Sequence, residues 1–501
     1  MSILAFAGRG AAARSGVLAG ARGQAWAGGL FVAAVAACNL LHGLADAPGP
    51  VWDENYYLTS YARYAEGRAT FASHPPLGLL LITAGDRLSG LNRHVDLAGL
   101  ARSRTLSGAR LPPGFDLTGP RLAPALFGVL ALVGVYGLML SLVRRPLAAV
   151  FWAGLPVFDT ALLAQFRAAQ LDAFQMAFAA LALLTLSLAV RASGPRRLGA
   201  FAAHGAMVGA AAMVKLDGVL LAVPAAAWAG LLIWRGRAAP SSTLRTAAAA
   251  LASLAAGLAA TVTGVLVLQL AAAPRAPDSS TPAGAVDARA LSPAYAAYLH
   301  GAAPLSAAAV LAAGRDDLDF ALADDRGMPR QDPNAAPALL QPLMQKPINY
   351  RWDRQGDRTA YVQLVPNPVV WLTALAAVAG AAILLLLGSS RRAADPLFAP
   401  LVAGWTALTA AHALMGLHRA TYLYHAFLPL LFGLSLAPLA WRGLCDRAPG
   451  LTHPAPSALT VLGAATLAAF VFYAPLALHH PLTHAACVAR NALGPVVRCQ
   501  P

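Results

Sequence analysis

Long apolar runs dominate this chain and restrict it to folds that cross a membrane. A helix needs about 20 apolar residues to cross the hydrocarbon layer of a bilayer. Of the 501 residues, 58% are hydrophobic and 12% are charged, whereas soluble domains carry about a quarter charged residues. We therefore predict an all-α polytopic membrane protein with about eleven spans. The predicted spans are 24–46, 121–143, 147–164, 171–191, 198–214, 217–234, 246–271, 368–388, 397–415, 421–441 and 457–477.

The net charge of +15 lies mainly in short loops between these runs. Such a pattern orients membrane proteins, with Lys and Arg on the cytoplasmic side, so we expect no nucleic-acid partner. We place residues 1–23 in the cytoplasm and interpret the first run as a retained helix. The inside segments then carry Arg9, Arg14 and Arg22, Arg144-Arg145, Arg191 to Arg197, Arg235 to Arg245, Arg391-Arg392 and Arg442 to Arg447.

This topology predicts two membrane modules, 24–271 and 368–477, and two large extracytoplasmic loops, 47–120 and 272–367. Within the first loop, Asn55 to Gly67 and Leu77 to Leu91 have helical patterns. The second loop is rich in Ala, Pro and Asp, which favours short helices over a β-rich domain. The tail 478–501 lies outside, where compartments oxidise thiols. We predict a disulfide between Cys487 and Cys499, with two free thiols as the alternative.

The polar residues of the chain collect at the outer ends of the predicted spans. Charges there usually face a cavity or a partner, so we predict one shared site. Arg and Lys can hold a phosphate, and a carboxylate can take a proton from an incoming hydroxyl. The residues are Asp53, Glu54, His74, Arg121, Arg167, Asp172, Lys215, Asp217, His418, Arg419, Tyr422, Tyr424 and His425.

Each of these residues also has a purely structural interpretation. Arg121 at a span end can simply extend to the lipid headgroups. Arg167 can pair with Asp172, and Lys215 with Asp217. His74 can cap a turn, while tyrosines at a membrane interface are common.

Several short motifs resemble the protein O-mannosyltransferase family. The acidic pair Asp53-Glu54 resembles its first-loop motif, and His74-Pro75-Pro76-Leu77-Gly78 matches a second element of that loop. The other similar pieces are Arg121 to Gly128, Arg167 to Asp172, Lys215, Lys346 to Tyr350, Asn367 to Trp371 and Arg419 to His425. Two departures are Leu79, where the family usually has a cation, and Asn55-Tyr56-Tyr57 after the acidic pair.

The resemblance implies a GT-C-type glycosyltransferase fold with eleven spans, here of the bacterial type without a β-trefoil domain in the large loop. It implies a mannosyl donor on polyprenyl or dolichyl phosphate and Ser/Thr hydroxyls of exported proteins as acceptors, with inversion at the anomeric carbon. The bacterial inner membrane is the expected location. No cofactor or metal is required, although two carboxylates can bind a divalent ion.

The resemblance also implies roles for individual residues. Asp53 is the expected base, and Glu54 is expected to help place the acceptor. Arg121, Lys215 and Arg419, together with Arg167, are the candidates for the donor phosphate. The candidates for the sugar or acceptor site are His74, Asp172, Tyr424 and His425.

Two other functions are compatible with parts of this pattern. A related enzyme could transfer a sugar to lipid A or to a cell-envelope glycan, as aminoarabinose transferases do. A transporter or lipid flippase would more often show paired repeats and charges at mid-membrane. This sequence shows no repeat, and its charges lie on one side.

Overall fold

The apolar runs form a bundle of long helices. The structure, a computed structural model, describes residues 4–106, 111–237, 239–387, 395–447 and 455–500. The predicted inside pair Arg391-Arg392 lies outside these residues. The long helices are α1 (Leu4–Leu41), α5 (Thr118–Val143), α6 (Pro146–Val157), α8 (Asp172–Arg191), α9 (Gly194–Ala212), α10 (Val223–Arg235), α11 (Pro240–Ala272), α15 (Pro368–Leu386), α16 (Phe398–Met415), α17 (Phe427–Arg447) and α18 (Ala455–Ala477).

Within the described residues, nine helical segments are long and apolar enough to cross a membrane. A tenth crossing is possible if α6 and the short α7 (Thr160–Phe166) act together, although they bend by 67°. The third predicted span, 147–164, is therefore a broken helix. The fifth predicted span corresponds to α9, which does not meet the same apolar criterion. The predicted total of eleven is not reached on this criterion.

Small residues bring α9 and α11 into close contact. A Cβ on Gly205 would lie 1.9 Å from the carbonyl oxygen of Leu254, and one on Gly257 would lie 2.0 Å from that of Ala202. Neither position can therefore carry a larger side chain without separating the helices. At these two positions, glycine serves close packing between membrane helices.

The first predicted extracytoplasmic loop forms two amphipathic helices, close to the predicted bounds. α2 (Glu54–Ala65) corresponds to the predicted 55–67, and α3 (Leu77–Ser89) to the predicted 77–91. Tyr61 links them, because its hydroxyl donates to Asp86 Oδ2 at 2.6 Å. The short helix α4 (Ala98–Ala101) follows.

The second predicted extracytoplasmic loop contains two short helices, as expected, together with a longer helix and a β-hairpin that the composition did not predict. Its helices are α12 (Pro282–Ala290), α13 (Pro293–Leu299) and α14 (Ala307–Gly327). Strands β1 (Ile348–Gln355) and β2 (Arg358–Leu364) pair antiparallel, and β3 (Pro481–Thr483) from the tail pairs with β2. Gly356 adopts φ +64° in the hairpin turn, which glycine tolerates without strain.

The C-terminal tail pairs with this hairpin through β3 and packs against it. Cys487 in α19 (His484–Val488) and Cys499 form a disulfide, the pairing predicted from the sequence. Tyr361 of β2 packs with Tyr473 and Cys487 in a small separate core. The sheet, the last helix and the tail therefore form one structural unit.

Candidate active site

Asp53 lies at the start of α2 with an unengaged carboxylate. Within the described part of the chain, no hydrogen bond or ion pair reaches its side chain. Burial raises the pKa of Asp53 to about 7; Lys215 nearby lowers this pKa, and Asp172 raises it. A carboxylate with a pKa in this range can accept a proton near neutral pH.

The residue before Asp53 has an unusual backbone. Trp52 adopts φ +47°, a conformation that is rare for bulky residues and costs about 1–3 kcal/mol. Its ring stacks on Tyr350 with centroids 5.3 Å apart and meets Tyr422 edge to face at 5.7 Å. This aromatic group, Trp52, Tyr350 and Tyr422, adjoins Asp53.

Glu54 differs from its neighbour, since it is fully buried and bound to Arg121. The guanidinium Nε and Nη2 of Arg121 donate to the two carboxylate oxygens, each at 2.8 Å. The backbone N–H groups of Val51 and Ala169 also donate to this carboxylate. The role of Glu54 in acceptor placement stays a prediction, and in this structure protein groups occupy both of its oxygens.

The side chain of Arg121 likewise makes its hydrogen bonds to groups within the protein. Its remaining N–H groups donate to the carbonyl oxygens of Leu44, Ala47 and Gly49. All five guanidinium N–H donors thus have partners. A contact from Arg121 to the donor phosphate stays a prediction, and it would require breaking this buried ion pair.

Arg167 has a similar structural role at the end of α1. Its guanidinium donates to the carbonyl oxygens of Asn39, His42 and Gly43. These carbonyls lie at and beyond the helix C-terminus, where unpaired acceptors need partners. The predicted phosphate contact of Arg167 stays a prediction, whereas its alternative pairing with Asp172 is not formed, because Asp172 pairs with Lys215.

Lys215, a cation of the site, forms an ion pair with Asp172. Its Nζ donates to Asp172 Oδ1 at 2.6 Å and lies 5.2 Å from the centre of the Tyr424 ring. The alternative pairing of Lys215 with Asp217 is not formed, because Asp217 accepts from Gln175 and contacts His412 at 3.1 Å. Lys215 has three N–H donors, so it can bind an anion while it keeps Asp172.

Arg419 and the two predicted histidines lie around Lys215. Arg419 Nε lies 2.6 Å from Asp325 Oδ1. Burial lowers the pKa of His74 to about 3, and Lys215 and Arg419 lower it further while Asp217 opposes them. His74 is therefore neutral at physiological pH. His425 stacks on Tyr424 at 4.8 Å, and its Nδ1 accepts the Tyr422 N–H.

The structure thus brings together seven of the predicted residues, and it engages Glu54, Arg121 and Arg167 with protein partners. The seven are Asp53, Asp172, Lys215, Arg419, His74, Tyr424 and His425. The structure adds Gln165 and Tyr350, to which the sequence analysis assigned no role. Tyr350 had one signal, as the last residue of the Lys346 to Tyr350 motif. No sequence motif pointed to Gln165, because a single Gln within an apolar run matches no functional pattern.

Residues 30–273, which contain most of this site, match the family model of dolichyl-phosphate-mannose-protein mannosyltransferase. Over these residues, just under half of its length, the chain is similar to this family. The similarity extends to a curated relative, Protein O-mannosyltransferase 1 of Drosophila pseudoobscura pseudoobscura, at 33% identity over 209 residues. That match covers 40% of this chain and 21% of the fly protein, so this chain spans only a fifth of that relative's length.

A solved mannosyltransferase structure shares the fold along nearly the whole chain. The S. cerevisiae protein O-mannosyltransferase Pmt1-Pmt2 complex bound to the sugar donor aligns with a TM-score of 0.75 at 13% identity. The match covers 94% of this chain and 92% of the yeast chain. The predicted GT-C-type fold is therefore confirmed, including the C-terminal module that the family model does not reach.

Proposed function

We propose that the chain is an inverting glycosyltransferase that moves mannose from a polyprenyl-phosphate donor to Ser or Thr hydroxyls of exported proteins. The observation that carries this proposal is the unengaged carboxylate of Asp53, with a pKa of about 7, close to Lys215. The similarity of residues 30–273 to the mannosyltransferase family model supports the choice of sugar and acceptor.

In this reaction the acceptor hydroxyl oxygen attacks the anomeric carbon of the sugar while the bond from that carbon to the phosphate oxygen breaks. The hydroxyl proton passes to Asp53, and the electron pair of the broken bond stays on the polyprenyl phosphate. Lys215 and Arg419 stabilise the departing phosphate by charge. A single displacement inverts the anomeric carbon and forms no covalent sugar–enzyme species.

An apolar pocket next to the site suits the lipid tail of the donor. It lies between α15, α16 and α17, and Ala426 at its wall directly follows His425. The lining residues are Pro342, Trp371, Ala374, Leu375, Trp405, Ala426, Pro429 and Leu430. We propose that the phosphate stays at Lys215 and Arg419 while the polyprenyl chain enters this pocket.

We further propose that the reaction needs no metal ion and occurs on the outer face of a bacterial inner membrane. Two free carboxylates would be the natural ligands of a divalent ion, but Glu54 is engaged by Arg121. Only Asp53 of the acidic pair remains available. Chelation with EDTA is therefore expected to leave transfer unchanged.

The test is transfer of radiolabelled mannose from polyprenyl phosphate in membranes that contain the chain, with peptide and lipid products separated. Asp53→Asn should lower transfer to a Ser/Thr-rich peptide by about a thousandfold, as loss of a general base does. Asp96→Asn, an exposed position of the same loop, is the matched control. Full activity of Asp53→Asn would refute the assignment, and label found only in lipid or glycan would identify the related envelope transferase instead.

A further inference from the structure

A chain of short hydrogen bonds connects the β-hairpin to Lys215. The phenol of Tyr350 donates to Gln165 Oε1 at 2.5 Å, and Gln165 Nε2 donates to Asp172 Oδ2 at 2.6 Å. Lys215 Nζ donates to the other oxygen of the same carboxylate at 2.6 Å. Tyr350, Gln165 and Asp172 are all buried.

The chemistry of these groups fixes the direction of every bond. An ionised Asp172 can only accept, so Gln165 must present its amide nitrogen to it. The amide oxygen then faces Tyr350, which must donate. Burial raises the pKa of Tyr350 well above its usual value, so the phenol keeps its proton. The orientation of Gln165 is thus fixed from both ends.

Tyr350 reaches this position because of an irregularity in β1. The pairing of β1 with β2 shifts register between Asn349 and Arg351, which leaves Tyr350 in a β-bulge. Bulges often redirect a side chain next to an active site. The ring also stacks on Trp52, the neighbour of Asp53. Tyr350 therefore lies between Asp53 and the hydrogen bonds that lead to Lys215.

We propose that Tyr350 is a positioning residue for transfer, which holds Lys215 in place for the donor phosphate through Gln165 and Asp172. This inference rests on the proposed function, in which Lys215 binds that phosphate. Without the phenol hydroxyl, the buried oxygen of Gln165 has no donor, and such unpaired groups drive local rearrangement. Asp172 and Lys215 then lose their fixed geometry. The hairpin, outside residues 30–273, becomes part of the active site.

The experiment measures the KM for the polyprenyl-phosphate sugar and for the acceptor peptide in the full-length protein. Tyr350→Phe removes one oxygen and keeps the ring that stacks on Trp52. It should raise the donor KM about tenfold, the effect of one hydrogen bond to a charged network, and leave the acceptor KM unchanged. Tyr361→Phe on β2 is the matched control, because its hydroxyl contacts the Gln500 N–H in the tail and should leave the donor KM unchanged.

A double-mutant cycle with Lys215→Met separates positioning from general damage. If Tyr350 acts through Lys215, Tyr350→Phe should change the donor KM little once Lys215 is Met, because coupled residues are non-additive. Equal effects of Tyr350→Phe in both backgrounds would overturn the inference. A wild-type donor KM for Tyr350→Phe, beside a raised one for Lys215→Met, would also overturn it while the proposed function stands. A wild-type donor KM for Lys215→Met would refute the phosphate assignment itself.

Discussion

At the start of α2, Asp53 and Glu54 are neighbours in sequence, yet their carboxylates have different surroundings. Glu54 is fully buried and paired with Arg121, and backbone N–H groups occupy its remaining acceptor positions. Asp53 is unengaged within the described residues. The position of the acidic pair in the loop after the first predicted span indicated that the pair would matter, but it could not predict this difference between the two carboxylates. The partners of Glu54 come from distant parts of the chain, Arg121 from α5 and the Ala169 N–H from the loop after α7.

The buried pair of Glu54 and Arg121 predicts a stability effect. Glu54→Ala should lower the free energy of unfolding by about 3–5 kcal/mol, because it leaves the Arg121 charge buried without a partner. Thermal unfolding in detergent measures the change. Asp53→Asn serves as the control and should not destabilise the protein. Glu54→Gln keeps an acceptor oxygen for Arg121 and should lose less stability than Glu54→Ala, and equal losses in the two variants would contradict the pairing.

The raised pKa of Asp53 predicts the pH dependence of transfer. A base must be ionised to act, so kcat/KM should rise with pH through about 7, the pKa raised chiefly by burial. Lys215 lowers this pKa, so Lys215→Met should move the midpoint to higher pH. The folded state prefers the protonated form of Asp53, so this group's contribution to stability is lost as pH rises through about 7. A midpoint near 4 in the native protein would contradict the burial of Asp53.

At the scale of single elements, helices were more predictable than the sheet. Spans such as α5 and α8 follow from long apolar runs, and α2 and α3 follow from helical periodicity. Strand β1 shows the alternation expected of a strand, with Ile348, Tyr350 and Trp352 between polar residues. The prediction missed it because it rested on the Ala-, Pro- and Asp-rich composition of the whole loop. The strands are stabilised by β3 and the tail core, which are distant in sequence. The bend between α6 and α7 also involves a contact that is distant in sequence. Asp159 caps α7 and accepts a hydrogen bond from Trp371 Nε1 at 3.0 Å.

The apolar pocket between α15, α16 and α17 predicts a selective effect on the lipid donor. Leu375→Trp places a larger ring in the pocket and should raise the KM for a long polyprenyl donor severalfold, with a smaller effect on a donor with a short chain. Leu386→Trp on the same helix is the control, because Leu386 is 86% exposed and outside the pocket. The same change in KM for both chain lengths would argue that the tail lies elsewhere.

At the scale of the whole molecule, the distribution of basic residues predicts which face is outside. After replacement of Cys38 and Cys445 by Ser, single cysteines at exposed positions report sidedness to an impermeant maleimide. His300→Cys, in the second predicted extracytoplasmic loop, should react in intact spheroplasts. Arg237→Cys, between α10 and α11, should react only after permeabilisation. The opposite pattern would invert the topology and place the site in the cytoplasm.

The short strand β3 has a consequence for the order in which the protein is made. Strands β1 and β2 emerge from the ribosome before α15, whereas β3 follows α18. The third strand can therefore join only after the helices of the C-terminal module have been synthesised and inserted. Until then, β2 has an open edge and the tail disulfide cannot form. A nascent chain would thus hold Tyr350 on an incomplete sheet, and the site would mature late in biogenesis.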